Sequence, residues 1–238
     1  MRDDHPALRL VCFPHSGASV TTYRSWAPLV PEGVELLAVQ YPQHADRFAE
    51  PPAGSVAEMG AAVAAELATL DRTPVALFGH SLGALVSYET ARALTDAGFS
   101  PRLLFVSGCP APELAGGGTT HTLPDDELWT RLLALGGTDS ALAADDEIRD
   151  LVLPVLRSDI TLHETYRPAP PVRPLSCPIR CHYNTDDPLV PDGSFATWAD
   201  ATSGPFSVRA WPGGHFHHLT DPTALVADVC DNLVEVVR

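Results

Sequence analysis

Gly79-His80-Ser81-Leu82-Gly83 is a G-x-S-x-G pentapeptide set between two segments of opposite character. Before it, Pro74-Val75-Ala76-Leu77-Phe78 is short and apolar, in the manner of a buried parallel strand. After it, Ala84 to Leu94 is rich in helix formers and leads to Gly98, a helix stop. Strand, sharp turn and helix form the context in which this pentapeptide reads as a nucleophile elbow rather than an ordinary glycine-bearing turn. The two glycines then have a steric job. The serine backbone is strained, and side chains on either flank would strike the neighbouring strand and helix. Ser81 is expected to project above the sheet at the N-terminus of its own helix, where the positive dipole end favours an oxyanion.

Outward from the elbow, strand and helix signals alternate. Strands are expected at Leu8–Phe13, Val34–Tyr41, Arg102–Val106, Pro178–Tyr183 and Phe206–Trp211. A short helix is expected from Thr22 to Leu29, with Tyr23 and Trp26 on one face. Ser55-Val56-Ala57-Glu58 reads as a capping box opening a helix whose Val56, Met59, Val63, Leu67 and Leu70 keep the helical period. Asp221-Pro222 opens the last helix, with Leu225, Val229, Leu233 and Val236 on its buried face. The alternation predicts an α/β fold: a mostly parallel central sheet with helices on both faces, in a single domain spanning 1–238.

One stretch, from about 113 to 174, carries no strand signal. Gly116-Gly117-Gly118 leads into it, Asp125 to Leu135 has helical periodicity, and Gly136-Gly137 stops that helix. Asp145 to Tyr166 reads as mostly helical, kinked or restarted at Pro154. A proline-rich return runs from Pro168 to Pro174. This is a helical insertion leaving a strand end, and ligands bind at that edge of an open α/β sheet, so it is read as a lid.

Composition excludes several function classes. The chain has 238 residues, enough to bury a core without staples. A net charge of −15 argues against nucleic acid as a partner. No apolar run is long enough to span a membrane, and Met1–Pro6 has no apolar region typical of a signal peptide. The five cysteines are an odd count and read as reduced thiols, in keeping with a cytoplasmic location. Cys177, Cys181 and His182 have no second pair to complete a metal site, so neither metal nor cofactor is expected.

A serine hydroxyl needs a base within hydrogen-bond reach and an acid to orient that base. With a nucleophile elbow the chain order is serine, acid, histidine. His215, in Gly213-Gly214-His215-Phe216, follows the last strand and is the candidate base; His217 and His218 are read as loop residues lining the entrance. The candidate acid is Asp187 in Asn184-Thr185-Asp186-Asp187-Pro188-Leu189-Val190, with Asp186 read as a turn-capping residue. The oxyanion should be held by the amide of Leu82, directly after the nucleophile, and by one from the loop after the first strand: Ser16, with Gly17 as the second choice.

This machinery defines acyl transfer to water and not the leaving group. Here the chain resembles the type II thioesterases, editing enzymes of polyketide and nonribosomal peptide synthesis with an α/β-hydrolase fold. Four segments carry the resemblance: Cys12-Phe13-Pro14-His15-Ser16-Gly17-Ala18-Ser19, the elbow, Leu153-Pro154-Val155-Leu156-Arg157-Ser158-Asp159 with Glu164 and Tyr166, and Gly213-Gly214-His215-Phe216. The third lies in the insertion and is not general to hydrolases. Tyr41-Pro42-Gln43-His44 departs from the pattern, since relatives usually carry Gly-Arg after the proline, and this bears on the pocket mouth. The resemblance implies hydrolysis of stalled or wrong acyl groups from the phosphopantetheine arm of an acyl or peptidyl carrier protein. The competing readings are a carboxylesterase or lipase, an acyl-CoA hydrolase, a terminal cyclising thioesterase, and a catalytically silent hydrolase-like binding module.

Overall fold

The structure is a computed structural model that describes residues 6–136 and 145–237. Gly137 and most of the Met1–Pro6 stretch lie outside the described residues, and Val236 outside the described side chains. Six strands form one sheet: β1 (Leu8–Phe13), β2 (Val34–Ala38), β3 (Val75–His80), β4 (Leu103–Ser107), β5 (Ile179–Asn184) and β6 (Phe206–Trp211). Their order is β2-β1-β3-β4-β5-β6. All five pairings among the described residues are parallel, in keeping with the expected sheet. β2 ends at Ala38, short of the expected Tyr41.

A parallel sheet must be covered on both faces, and the strands show it residue by residue. Val11, Phe13, Leu77, Leu104 and Val106 point to one side, under α1 (Val56–Ala68) and α2 (Leu82–Asp96). Leu8, Leu10, Cys12, Ala76, Phe78 and Phe105 point to the other, where they meet Tyr23, Trp26 and the last helix, α5 (Thr223–Val237). Leu225, Val229 and Leu233 of α5 are buried there. Asp221 accepts from the Thr223 amide at 2.9 Å and starts that helix. Tyr23 and Trp26 sit in a 3-10 helix, Val20–Trp26.

α1 starts as the capping residues require, with a shift of one position. Ser55 Oγ accepts from the Glu58 amide at 3.1 Å, but the Glu58 carboxylate accepts from Gly54 N, at 2.9 Å, rather than from Ser55 N. The helix ends at Ala68, so Leu70 falls beyond it and is 42% exposed instead of facing the core.

Between β4 and β5 the described residues contain no strand. They form a 3-10 turn at Thr120–Thr122, α3 (Asp125–Ala134) and α4 (Asp146–Thr165). Leu128, Trp129 and Leu153 make a small core of their own, with Leu132, Leu156 and Ile160 against it. α4 runs through Pro154 as one element, so of the two expectations at that proline the restart does not occur. The polar residues of its resemblance segment are tethers. Arg157 donates to the carbonyls of His121 and Leu123, and Glu164 accepts from the amides of Thr120 and His121. The Tyr166 hydroxyl donates to Glu89 of α2 at 2.6 Å, in a buried setting. No helix among the described residues is long and apolar enough to cross a membrane.

Candidate active site

The strand order reverses direction between β1 and β3, the point at which open α/β sheets bind ligands beyond their strand C-termini. The loops after these two strands carry Ser16 and Ser81. Ser81 has φ 55° and ψ −122°, a strained conformation for a non-glycine residue. Its neighbours explain how the strain is accommodated. A Cβ on Gly79 would lie 2.1 Å from the Gly83 carbonyl oxygen, and a Cβ on Gly83 would lie 2.1 Å from the Phe13 carbonyl oxygen. Only hydrogen fits at either place, so β3 turns tightly into α2 while α2 presses on the end of β1. The Ser81 amide donates to the Ser107 carbonyl at 2.8 Å, fixing the turn to β4.

His215 and Asp187 meet on the same rim, on the loops after β6 and β5. Nδ1 of His215 lies 2.7 Å from Asp187 Oδ2, and both side chains are almost wholly buried. The second carboxylate oxygen of Asp187 accepts from the Leu189 amide at 2.9 Å. An ionised carboxylate accepts only, so this contact places the ring proton on Nδ1 and leaves Nε2 as the free basic nitrogen.

Two neighbours, Asp186 and Asn184, join the acid loop to the histidine loop. Asp186 exchanges backbone and side-chain bonds with Gly213: its amide donates to the Gly213 carbonyl, and its Oδ2 accepts from the Gly213 amide, both at 3.1 Å. The Asn184 amide group donates to the Gly214 carbonyl at 2.9 Å. Asp186 therefore works as a turn-holding residue, and the structure brings Asp187, not Asp186, to the imidazole. Asn184 had only one signal in the sequence, its place at the strand end.

The loop after β1 is a tight turn, closed by the Ala18 amide donating to the His15 carbonyl at 3.0 Å, with Gly17 at φ +76°. Two buried tyrosines hold its start: Tyr23 donates to the Phe13 carbonyl at 2.7 Å and Tyr41 to the Pro14 carbonyl at 3.0 Å. Of the two amides considered for the oxyanion, that of Gly17 is already engaged, donating to Asp159 Oδ2 at 2.7 Å. Among the described residues nothing accepts from the Ser16 amide. Leu82 is the first residue of α2, so its amide has no acceptor within the helix.

Histidines crowd this rim. His80 lies with its ring centroid 4.1 Å from that of His218 and 4.8 Å from that of His215, and the His15 ring is 5.9 Å from His80. His218 is 2% exposed, so it is packed inside and not a loop residue at the entrance. His217 is half-buried and stacks on Trp211. Burial, reinforced by the neighbouring rings, holds His80 and His218 well below the usual histidine range and His15 down to about 3. These rings are neutral at pH 7 and place no fixed cation beside His215. His80 also contacts Ser107 Oγ at 3.0 Å, on the residue whose carbonyl receives the Ser81 amide.

Ser16, Ser81 and His215 open onto one cavity of about 520 Å³. Its far wall is apolar and comes from the insertion: Trp129, Leu132, Ile148, Val152, Leu156 and Ile160. The space suits a non-polar acyl chain with its reacting carbonyl at the polar end.

A strained serine between two glycines, at the turn from a central parallel strand into a helix, with a buried Asp–His pair on the later loops, defines an α/β-hydrolase. The thioesterase domain family matches residues 8–233, and the chain belongs to it. It is 41% identical to thioesterase PikA5 of Streptomyces venezuelae, over 98% of this chain and 85% of that protein. RedJ, a thioesterase of the prodiginine biosynthetic pathway in Streptomyces coelicolor, superposes with a TM-score of 0.87 at 37% identity, over 95% of this chain and 85% of RedJ. BorB, the type II thioesterase of the borrelidin biosynthetic cluster, superposes with a TM-score of 0.88 at 38% identity, over 100% of this chain and 96% of BorB.

Proposed function

We propose that this thioesterase clears stalled or incorrect acyl groups from the phosphopantetheine arm of an acyl or peptidyl carrier protein in polyketide or nonribosomal peptide synthesis. Ser81, His215 and Asp187 are its catalytic triad, and the amides of Ser16 and Leu82 form its oxyanion hole. The observation that carries the reading is the 2.7 Å contact between His215 and Asp187, on a ring that shares its cavity with Ser81.

The chemistry follows from that arrangement. His215 Nε2 takes the Ser81 hydroxyl proton as Oγ attacks the thioester carbon. The negative oxygen of the tetrahedral intermediate accepts from the Ser16 and Leu82 amides. The C–S bond breaks, the thiol leaves with the proton carried by His215, and the acyl group stays on Ser81 as an ester. Water then gives a proton to His215 as its oxygen attacks the ester carbon; the bond from that carbon to Ser81 Oγ breaks, His215 returns the proton to Oγ, and the free acid leaves. Asp187 keeps the ring in one tautomer through both halves. The insertion, about 113–174, acts as a lid whose apolar wall receives the acyl chain and sheds water from the ester. Solution chemistry of this kind, with soluble carriers, belongs in the cytoplasm.

Turnover of acyl-loaded carrier proteins, compared with the matching acyl-CoAs and nitrophenyl esters, tests the assignment. A kcat/KM at least tenfold higher on carriers supports it. Equal or better rates on nitrophenyl esters would make the protein a general esterase.

A further inference from the structure

Asp159 of α4 sits at the junction of three elements. It is 4% exposed, and one of its oxygens, Oδ2, accepts two bonds: from the Gly17 amide at 2.7 Å and from His44 Nε2 at 3.0 Å. The other ring nitrogen of His44 is 2.7 Å from the Pro42 carbonyl oxygen. Both nitrogens of this buried ring thus face oxygens that only accept, and the ring satisfies both only as an imidazolium. Burial works against that charge, but the Asp159 carboxylate outweighs it and the His44 pKa is raised. The turn presenting His44 is itself strained, with Gln43 at φ 65° and Ala45 at φ 45°, neither of them glycine. A second contact reaches the same loop from α4. A Cβ on Gly17 would lie 2.2 Å from Leu156 Cδ2, so the Leu156 side chain is seated on the bare glycine.

We infer that Asp159 is a positioning residue for the oxyanion hole. The bond it accepts from the Gly17 amide anchors the Ser16–Gly17 turn to α4, and its ion pair with His44 holds the carboxylate in place, so that the hole is formed only while α4 is seated. Gly17 follows Ser16 directly, and holding its N–H fixes the Ser16–Gly17 peptide, the immediate neighbour of the His15–Ser16 peptide that carries the Ser16 N–H. The carboxylate touches no reacting atom. It acts through the loop, and because the acceptor is charged the bond is among the stronger kinds. The insertion that lines the acyl site thereby also sets the geometry of the transition-state donors. This inference rests on the oxyanion hole assigned under the proposed function.

The test compares steady-state kinetics of the full chain and its Asp159→Ala and Asp159→Asn variants on an acyl-pantetheine thioester, with thermal unfolding of each. An oxyanion donor acts in the transition state, so the expected loss lies in kcat while KM stays within about twofold. Asp159→Ala, which removes the acceptor, is expected to lower kcat about 10- to 100-fold, less than complete loss of one donor. Asp159→Asn keeps the shape and loses the charge, and is expected to lower kcat about 3- to 10-fold. If the alanine variant does not fold, the asparagine variant carries the test alone. Wild-type kcat in a folded variant, or a loss confined to KM, overturns the inference while the proposed function stands. No turnover by the wild-type chain would instead count against the proposed function, and against this inference with it.

Discussion

His215 and Asp187 form a buried pair, 2.7 Å apart, on two loops that are themselves joined through Asp186 and Gly213. The carboxylate gives one oxygen to the ring and the other to the Leu189 amide, so its orientation is fixed before substrate arrives. Replacing Asp187 by Asn puts a donor where the ring N–H needs an acceptor and favours the wrong tautomer. The expected result is a fall in kcat of about 10⁴-fold, as for the same change in a serine-protease triad, with the fold retained. Steady-state kinetics alongside circular dichroism checks this.

Gly83→Ala tests the steric basis of the elbow. The added Cβ would meet the Phe13 carbonyl at 2.1 Å, and that atom belongs to the backbone of a central strand. Neither partner can give way cheaply. Overpacking of this kind costs about 1–3 kcal/mol and occasionally more. Urea unfolding should show a loss of at least that size, and an unchanged midpoint would mean that α2 is not pressed against β1.

Tyr166→Phe removes the hydroxyl that ties the end of α4 to Glu89. Glu89 keeps its ion pair with Arg92 at 3.0 Å, so the carboxylate is not left bare. A bond to a charged group contributes about 1.5–3 kcal/mol. The expected outcome is a loss of that order in chemical denaturation.

Acid should destabilise the fold steeply. Burial holds His15 down to about 3 and His163 to about 4, and keeps His80 and His218 well below the ordinary range. In the unfolded chain each titrates near pH 6.5. The folded state refuses protons that the unfolded state binds, so the stability from these groups is full above about pH 6.5 and is lost as pH falls towards the folded values. His44 has the opposite sign: its pKa is raised, so its contribution is present below about pH 6.5 and lost as pH rises through the folded value. Each buried neutral histidine adds a slope of roughly 1.4 kcal/mol per pH unit. His218→Leu should reduce the slope between pH 6 and 4.5 by about one proton, read by urea unfolding at a series of pH values.

How far the sequence could be read depended on the range of the interaction. The elbow glycines were legible because their constraint is local: each is within a few residues of the serine it serves. The central strands β3 and β4 were legible because burial on both faces leaves nearly unbroken apolar runs. Leu70 misled because the helical period continues on paper after the helix has stopped at Ala68. Pro154 left two outcomes open, a kink or a restart, and packing on α3 keeps α4 a single helix through it. The burial of His218 and the contact between His44 and Asp159 were illegible for a different reason. The latter two are 115 residues apart, and no local pattern reports which side chain from the insertion reaches which turn. The departure at Gln43-His44 marked the place without stating its partner.

The central claim is that Ser81 carries the acyl group between thioester and water. Rapidly mixing an acyl-loaded carrier protein with the wild-type chain, quenching in acid during turnover and digesting the protein for mass spectrometry tests it directly. The expected result is an acyl mass shift on the peptide containing Ser81, absent from a Ser81→Ala control that has also lost turnover by at least about 10³-fold. An acyl group found on another residue, or a Ser81→Ala variant hydrolysing the carrier at the wild-type rate, would contradict it.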